Sequence, residues 1–263
     1  MRPTRAKVAF ADPGPGRAAS HRTVEFTVVL NPCSGPCVGS LPDQAYVEEI
    51  PKLRSYPNIR TLGYVATHYA HKDIGAVLDE IETYAAWPRD ANATQFRVDG
   101  IFLDETPSAY DAGAYQYLER AEQAVRNAAT FNDRFVAHNP GFFSPSLLDS
   151  GTVLQESYLN LTDLTVVLEE TFDKWLDKGT LGALQEHKIR RSQLAVILHS
   201  LPSLSKQVLD SVVGQVEEAA DWLFLTDVKE ADAYYHSFSG MFADVVAAVD
   251  EGPGTRSKRR KRA

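Results

Sequence analysis

The chain has 263 residues, of which 44% are hydrophobic and 24% are charged, and its formal net charge at pH 7 is −8. This length and composition suit one large α/β domain with a full hydrophobic core. No apolar run approaches the ~20 residues that a membrane-spanning helix needs, and the first residues lack the apolar core of a signal peptide. Neither a membrane partner nor a cleaved leader is therefore expected from the residues alone.

The charge is unevenly distributed along the chain. Residues 1–23 hold five basic side chains and one acid, and the last ten residues hold six basic side chains and no acid. Residues 24–253 therefore carry 16 basic and 34 acidic side chains, a net charge of −18. A body this acidic repels polyanions, so nucleic acid is not expected as a partner and a neutral or cationic ligand is favoured.

The pattern of prolines and glycines divides the chain into three parts. Residues 1–23 are predicted to be irregular, with one short strand at most, because Pro13-Gly14-Pro15-Gly16 interrupts any regular element. Residues 24–250 are predicted to form the folded domain. Residues 251–263 are predicted to be a disordered basic tail, since six like charges repel one another there.

Strands and helices alternate through residues 24–250. The predicted strands are residues 24–31, 61–67, 101–105, 134–139, 164–170, 194–199 and 222–227. The predicted helices are residues 43–55, 74–87, 108–129, 172–187, 205–220 and 235–249. Repeated βα units favour parallel strands, and eight of them close a barrel. The sequence thus predicts a (β/α)8 TIM-like barrel whose first βα unit is degenerate or missing; the alternative is an open, doubly wound sheet.

The predicted strands end in polar residues, and three acids among them are the candidates for catalysis. Asp104 and Glu105 end one apolar run, and Glu169 ends another. Strand ends two apart in a barrel lie about 10 Å apart, so side chains that lean inward reach the ~5–5.5 Å of a retaining glycosidase pair or the wider inverting gap. Helix capping by Asp104 and Glu105 is the alternative explanation.

Further polar and aromatic residues at or near the strand ends suit sugar hydroxyls and ring faces. The candidates for substrate binding are Asn31, Tyr64, Thr67, His68, Tyr69, His138, Asn139, His199, Thr226 and Asp227. Each is also explained as a capping or loop residue, and His138 and His199 also as hydrogen-bonded core histidines. No metal or other cofactor is predicted, because the sequence lacks a ligand cluster such as His-x-x-x-His. Cys33 and Cys37 lie four residues apart and are either a local disulfide or free thiols.

Several motifs occur together in one known family. They are Asn31-Pro32-x-Ser34-Gly35-Pro36, Gly63-Tyr64-Val65-x-Thr67-x-Tyr69, Thr83-Tyr84-x-x-Trp87, Asp99-Gly100-Ile101-Phe102-x-Asp104-Glu105 and Asn139-Pro140-Gly141. Over residues 25–227 the chain resembles spherulation-specific family 4, the spherulin-4-like proteins of glycoside hydrolase family 135. Cys33 and Cys37 depart from the family pattern, which tends to have Asn and Gly there. The family's first strand and helix have no clear counterpart in residues 1–23.

The resemblance implies a function, roles for the acids and a location. It implies an endo-α-1,4-N-acetylgalactosaminidase, expected to be a monomer, that acts on galactosaminogalactan-type polysaccharide of the fungal cell surface. Asp104 would be the nucleophile, Glu169 the acid/base and Glu105 a supporting acid. The family implies an extracellular or cell-surface location, whereas the chain as it stands, without a signal peptide, is expected to be cytoplasmic. The alternative function is a barrel with impaired catalysis that binds carbohydrate or serves as a cell-surface structural protein.

Overall fold

The structure of the chain is a computed structural model. It describes residues 7–9, 18–37, 41–141, 158–176, 189–229, 234–235 and 237–260, with the backbone alone for residues 7–9 and 253–260. Within these residues, no helix is both long enough and apolar enough to cross a membrane. The predicted helix at residues 172–187 extends beyond the described part of the chain after residue 176.

In the described part of the chain, eight parallel strands follow one another around a closed barrel. They are β1 (Lys7–Ala9), β2 (Glu25–Leu30), β3 (Ile59–Ala66), β4 (Gly100–Asp104), β5 (Phe135–Asn139), β6 (Leu164–Thr171), β7 (Leu194–His199) and β8 (Trp222–Leu225). β1 is only three residues long, and it joins the ring by pairing with β2 on one side and with β8 on the other. The parallel α/β architecture predicted from the sequence is confirmed.

Among the described residues, six helices lie between or after strands β2 to β8. They are α1 (Gln44–Arg54), α2 (Ile74–Asp90), α3 (Ala112–Asn127), α4 (Phe172–Trp175), α5 (Lys206–Ala219) and α6 (Phe242–Arg260), with 3-10 turns at Tyr158–Leu161 and Arg191–Gln193. Four helices, α2 to α5, each begin after a capping residue whose side chain accepts a hydrogen bond from a backbone N–H of the first turn. The capping residues are Asp73, Asp111, Thr171 and Ser205. α6 begins later than the predicted residue 235, because Asp227 binds Ser239 and Gly240 and so holds a turn there.

Both ends of the chain differ from the sequence-based expectation. Residues 18–20 are helical and Ala18 is fully buried, with its carbonyl oxygen accepting a 3.2 Å bond from Asn58 Nδ2. The N-terminal segment is therefore packed from residue 18 onward, where an irregular segment was expected. At the other end the backbone is helical to Arg260, after a break at Gly252 (φ 63°), where a disordered tail was expected.

Alternation along the strands separates the interior of the barrel from its outer layer. Leu62 and Phe102 belong to one cluster of buried residues, whereas Val65 and Leu103 belong to another that includes residues of α1, α2 and α3. Because successive side chains point to opposite faces, Asp104 lies on the same face as Phe102. The strand therefore directs Asp104 toward the mouth of the barrel.

Two residues of the Asp99-Gly100 motif have structural roles. Asp99 is buried and accepts hydrogen bonds from Thr61 N (2.8 Å) and Thr61 Oγ1 (3.0 Å), and it also binds the guanidinium of Arg54. A Cβ atom on Gly100 would lie 2.0 Å from the carbonyl oxygen of Phe135, so only glycine fits between β4 and β5. These two residues hold the strand that carries Asp104 in its register.

Candidate active site

A single side-chain amide connects the two predicted acids. Asp104 and Asn139 are register partners at the ends of β4 and β5. Asn139 Nδ2 donates to Asp104 Oδ1 (2.9 Å) and to Glu169 Oε2 (2.7 Å). The two carboxyl oxygens therefore lie no further apart than these two bonds placed end to end. The structure thus brings together acids that are far apart in the sequence.

The orientation of the Asn139 amide is fixed by the loop that follows β5. Asn139 Oδ1 accepts a 2.9 Å bond from Gly141 N, which leaves the amide nitrogen facing the acids. Gly141 has φ +68°, in the left-handed region that favours glycine, and its carbonyl oxygen accepts a 3.1 Å bond from Glu169 N. The Asn139-Pro140-Gly141 motif therefore positions both the amide and the strand that carries Glu169.

Asp104 is mostly buried and is surrounded by hydrogen-bond donors. Burial raises the pKa of this carboxyl, and the neighbouring charge of Glu105 adds to the rise. Hydrogen bonds from Tyr64, the backbone of Glu105 and Asn139 act in the opposite direction. Burial and the charge of Asp104 also raise the pKa of Tyr64, so its hydroxyl keeps its proton and donates a hydrogen bond to Asp104.

Glu169 follows an irregularity in β6. The register of β6 against β7 shifts between Val166 and Leu168, and a bulge of this kind redirects the side chains that follow it. The next residue along, Glu170, points elsewhere: it pairs with Lys174 and accepts a 2.9 Å bond from Thr171 N. The two adjacent glutamates thus have different surroundings, and Glu169 is the one beside Asp104.

Sequence reasoning missed one residue of this site, Tyr234. Its hydroxyl donates to Glu169 Oε1, and its ring stacks parallel to His199 with centroids 4.7 Å apart. Tyr235 continues this group, because the Tyr234 hydroxyl lies 3.1 Å from the Tyr235 hydroxyl. Two adjacent tyrosines shortly after a strand end were a usable signal, but the sequence pattern assigned Tyr235 to a helix.

Glu105 leaves the regular strand and meets the loop after β3. It has φ 52°, and its Oε2 lies 2.7 Å from His68 Nδ1. Its carbonyl oxygen accepts bonds from Thr67 Oγ1 (2.8 Å) and Tyr69 N (2.6 Å). Glu105, Thr67, His68 and Tyr69 therefore form one group beside Asp104.

Three predicted binding residues have side chains that stabilise their own loops. Asn31 is exposed and its Oδ1 accepts a 2.9 Å bond from Gly35 N, inside a loop closed by the Cys33–Cys37 disulfide. Thr226 is fully buried and its Oγ1 accepts a 3.2 Å bond from Val228 N. Asp227 Oδ1 accepts from Ser239 Oγ (2.8 Å) and Gly240 N (3.1 Å).

His138 lies on the face of β5 opposite to Asn139. It pairs in register with Leu103, whose side chain belongs to the outer core, so it points toward the helix layer and not into the mouth. Burial, together with the charge of Arg126, lowers the pKa of His138 to about 3. His138 is therefore a buried core histidine, but its Nε2 has no hydrogen-bond partner among the described residues, in contrast to the hydrogen-bonded histidine of the alternative.

The buried, neutral His138 should make stability depend on pH. Its pKa is about 3 in the folded protein, against ~6.5 in an unfolded chain. As the pH falls, His138 is therefore protonated in the unfolded state before it is protonated in the folded state. The free energy of unfolding, which is highest above pH ~6.5, decreases as a result. Between pH 6.5 and 4.5 we expect a loss of roughly 2–3 kcal/mol from this group.

Urea unfolding at several pH values measures this loss. His138→Leu, which removes the titrating group from an apolar layer, should flatten the pH dependence. His71→Leu is the matched control, because His71 is exposed and its removal should leave the slope unchanged. Equal slopes for the wild type and His138→Leu would contradict the prediction.

Comparison with known proteins identifies the family. The sequence model of the family described as "Spherulation-specific family 4" matches residues 15–249 of the chain. The chain belongs to spherulation-specific family 4. The resemblance read from the motifs is thereby confirmed, and the match covers the acids, Asn139 and the loops around them.

Members and structural relatives of the family support the fold. One similar structure is the crystal structure of Aspergillus clavatus Sph3 in complex with GalNAc. The two sequences are 36% identical, and the structures match with a TM-score of 0.83 over 95% of this chain and 99% of that chain. Physarum polycephalum Spherulin-4 is 27% identical over 242 residues, and the match spans 88% of this chain but only 64% of that protein. A GH18 chitinase from Pseudoalteromonas aurantia, 12% identical with a TM-score of 0.51, shares the fold.

Proposed function

We propose that this chain is a glycoside hydrolase that cleaves galactosaminogalactan-type polysaccharide at α-1,4-linked N-acetylgalactosamine, on a (β/α)8 barrel. The observation that carries the proposal is the Asn139 amide, which donates to Asp104 and to Glu169 at once. Two carboxyl groups this close, in a barrel mouth, suit the chemistry of glycoside cleavage. The GalNAc complex of the similar Sph3 supports the class of sugar.

The short separation of the acids favours a retaining mechanism. Retaining glycosidases hold their carboxyl groups ~5–5.5 Å apart, whereas inverting enzymes leave ~6.5–9.5 Å for a water molecule. The two hydrogen bonds to Asn139, 2.9 and 2.7 Å long, limit the distance between the nearer oxygens to about 5.6 Å, which is close to the shorter range. In this mechanism Asp104 attacks the anomeric carbon, while Glu169 protonates the leaving oxygen and then activates water. Glu105 supports Asp104 through the adjoining loop.

The polymer and the location follow from charge and family. The acidic body of the chain, with a net charge of −18 over residues 24–253, attracts a polymer whose galactosamine is partly deacetylated and cationic. Action on such a polymer places the protein outside the cell or at the cell surface, which is also the location that the family implies.

Digestion of purified galactosaminogalactan tests the function. We expect new reducing ends and oligosaccharide products, with the α-anomer appearing first in proton NMR because the configuration is retained. Chitin and starch serve as control polymers and should stay intact. Binding of the polymer without any new reducing ends would contradict the proposal and support the alternative of a non-catalytic carbohydrate-binding barrel.

A further inference from the structure

A disulfide closes the loop that follows β2. It joins Cys33 to Cys37, the two cysteines of the chain. Loops that follow the strands of a parallel barrel lie at its carboxyl end, so this disulfide is on the face that holds the acids. Cys33 is exposed and Cys37 is half-buried. Exposed disulfides are the ones that thiols reduce most readily.

The closed form of this loop is costly in two ways. Ser34 and Cys37 have φ values of 52° and 61°, in the left-handed region that side chains other than glycine disfavour. Gly35 is buried against Glu80, since a Cβ atom on Gly35 would lie 3.6 Å from Glu80 Cδ. Glu80 Oε2 is buried without a hydrogen-bond partner in the part of the chain that the structure describes, which is also unfavourable. The covalent bond therefore keeps closed a loop that these two costs favour opening.

Glu80 connects this loop to the next loop along the barrel. Its Oε1 lies 2.6 Å from Lys72 Nζ, and the two side chains are only 13% and 17% exposed. An ion pair shielded from water is stronger than one in solvent. Lys72 lies in the loop after β3, where its N–H donates to the carbonyl oxygen of Thr67 (3.1 Å). Opening of the disulfide loop would admit water to the ion pair and weaken the hold of Glu80 on the loop after β3.

The loop after β3 in turn holds the end of β4 that carries the acids. The N–H of Thr67 donates to the carbonyl oxygen of Asp104 (2.9 Å), and its hydroxyl donates to that of Glu105 (2.8 Å). The N–H of Tyr69 donates to the same carbonyl oxygen of Glu105 (2.6 Å). A continuous series of contacts therefore leads from the disulfide to the backbone of Asp104.

We propose that the Cys33–Cys37 disulfide is a redox modification site that sets how firmly the loop after β3 holds the end of β4. The reductant is a dithiol: one of its thiolates attacks the sulfur of the exposed Cys33, and Cys37 leaves as a thiolate that takes up a proton. The second thiolate of the reagent then attacks the mixed disulfide, which releases Cys33 and leaves the reagent as a cyclic disulfide. Two electrons thus pass to the protein. Oxidising surroundings, such as the cell exterior, keep the loop closed.

Hydrogen exchange measured by NMR tests the structural part of the inference. We expect dithiothreitol to speed exchange of the Tyr69 and Lys72 amides about tenfold, because the loop after β3 opens more often. The amide of Asp163, which donates to the carbonyl oxygen of Val136 (2.8 Å) just before β6, should be unaffected. The double variant Cys33→Ser, Cys37→Ser should exchange as the reduced wild type does and should not respond to dithiothreitol.

Two lysine variants test the route through Glu80. Lys72→Met removes the ion pair, so the Tyr69 amide should already exchange fast in the oxidised protein, and reduction should add little. Lys52→Met is the matched control, because Lys52 pairs with Glu49 on α1 at 2.7 Å while both side chains are 59% exposed. It should respond to dithiothreitol as the wild type does. A full response in Lys72→Met would overturn the inference.

The effect on catalysis rests on the proposed function and is measured separately. We expect the reduced wild type to release reducing ends about tenfold more slowly than the oxidised protein. Unchanged exchange at Tyr69 and Lys72 after full reduction, an equal rise at Asp163, or unchanged turnover in an active enzyme would overturn the inference. An oxidised protein that cleaves nothing but keeps the exchange response would instead overturn the proposed function and leave this inference standing.

Discussion

Asp104→Asn and Glu169→Gln should each lower turnover of galactosaminogalactan by roughly 10³-fold or more. Each change removes a carboxyl group with almost no change in volume, so the group proposed to attack or to transfer the proton is lost while the shape of the site is kept. Both side chains hydrogen-bond to Asn139, and the new amides cannot replace a nucleophile or an acid. Reducing-end assays on purified variants, with thermal unfolding beside them, measure the two effects separately.

Glu170→Gln is the control for Glu169→Gln. Glu170 is the next residue in the chain, but its carboxyl group binds Lys174 and the backbone of Thr171. We expect this variant to keep activity within a few fold of the wild type. Full activity in Asp104→Asn or Glu169→Gln would show that the pair does not carry the chemistry. An equal loss in Glu170→Gln would show that the assay reports local damage to the strand instead.

The fold was largely predictable because its signals are local. Each apolar strand, its polar end and the following amphipathic helix lie within one stretch of sequence, so their repetition predicted the parallel α/β architecture. The packed N-terminal segment was not predictable from the same signals. Its anchor is Asn58, which bonds to the carbonyl oxygens of Ala18, His21 and Val24 from a distant position in the chain.

The site was predictable only where strand ends alone define it. Strand alternation shows that one of His138 and Asn139 faces the mouth, but the choice depends on the register of Asn139 against Asp104. Tyr234 reaches Glu169 across 65 residues, through a contact that no local pattern records. Asn139 was predicted as a sugar ligand, and no strand-end pattern showed that its amide lies between the two acids.

Replacing Asn139 by Leu should lower kcat about 10²-fold and move the acid limb of the kcat/KM profile to higher pH. The amide donates to both acids, and its hydrogen bond lowers the pKa of Asp104 against the effect of burial. A donor favours the ionised form, so its loss raises the pKa of the carboxyl group that must be ionised. The two acids also lose the bridge that sets their spacing, and a displacement of about 1 Å can cost 10²-fold in rate.

The pH profile separates this positioning role from simple damage to the fold. A variant that is merely less stable loses activity at every pH and keeps the shape of the kcat/KM profile. The loss of the hydrogen-bond donor at Asn139 instead moves the acid limb of that profile. Asn132→Leu is the matched control, since Asn132 Nδ2 donates to Asp133 Oδ1 (2.9 Å) at an exposed position. It should leave both rate and profile unchanged. An Asn139→Leu enzyme with an unshifted acid limb would mean that the amide does not set the ionisation of Asp104, whatever its effect on kcat.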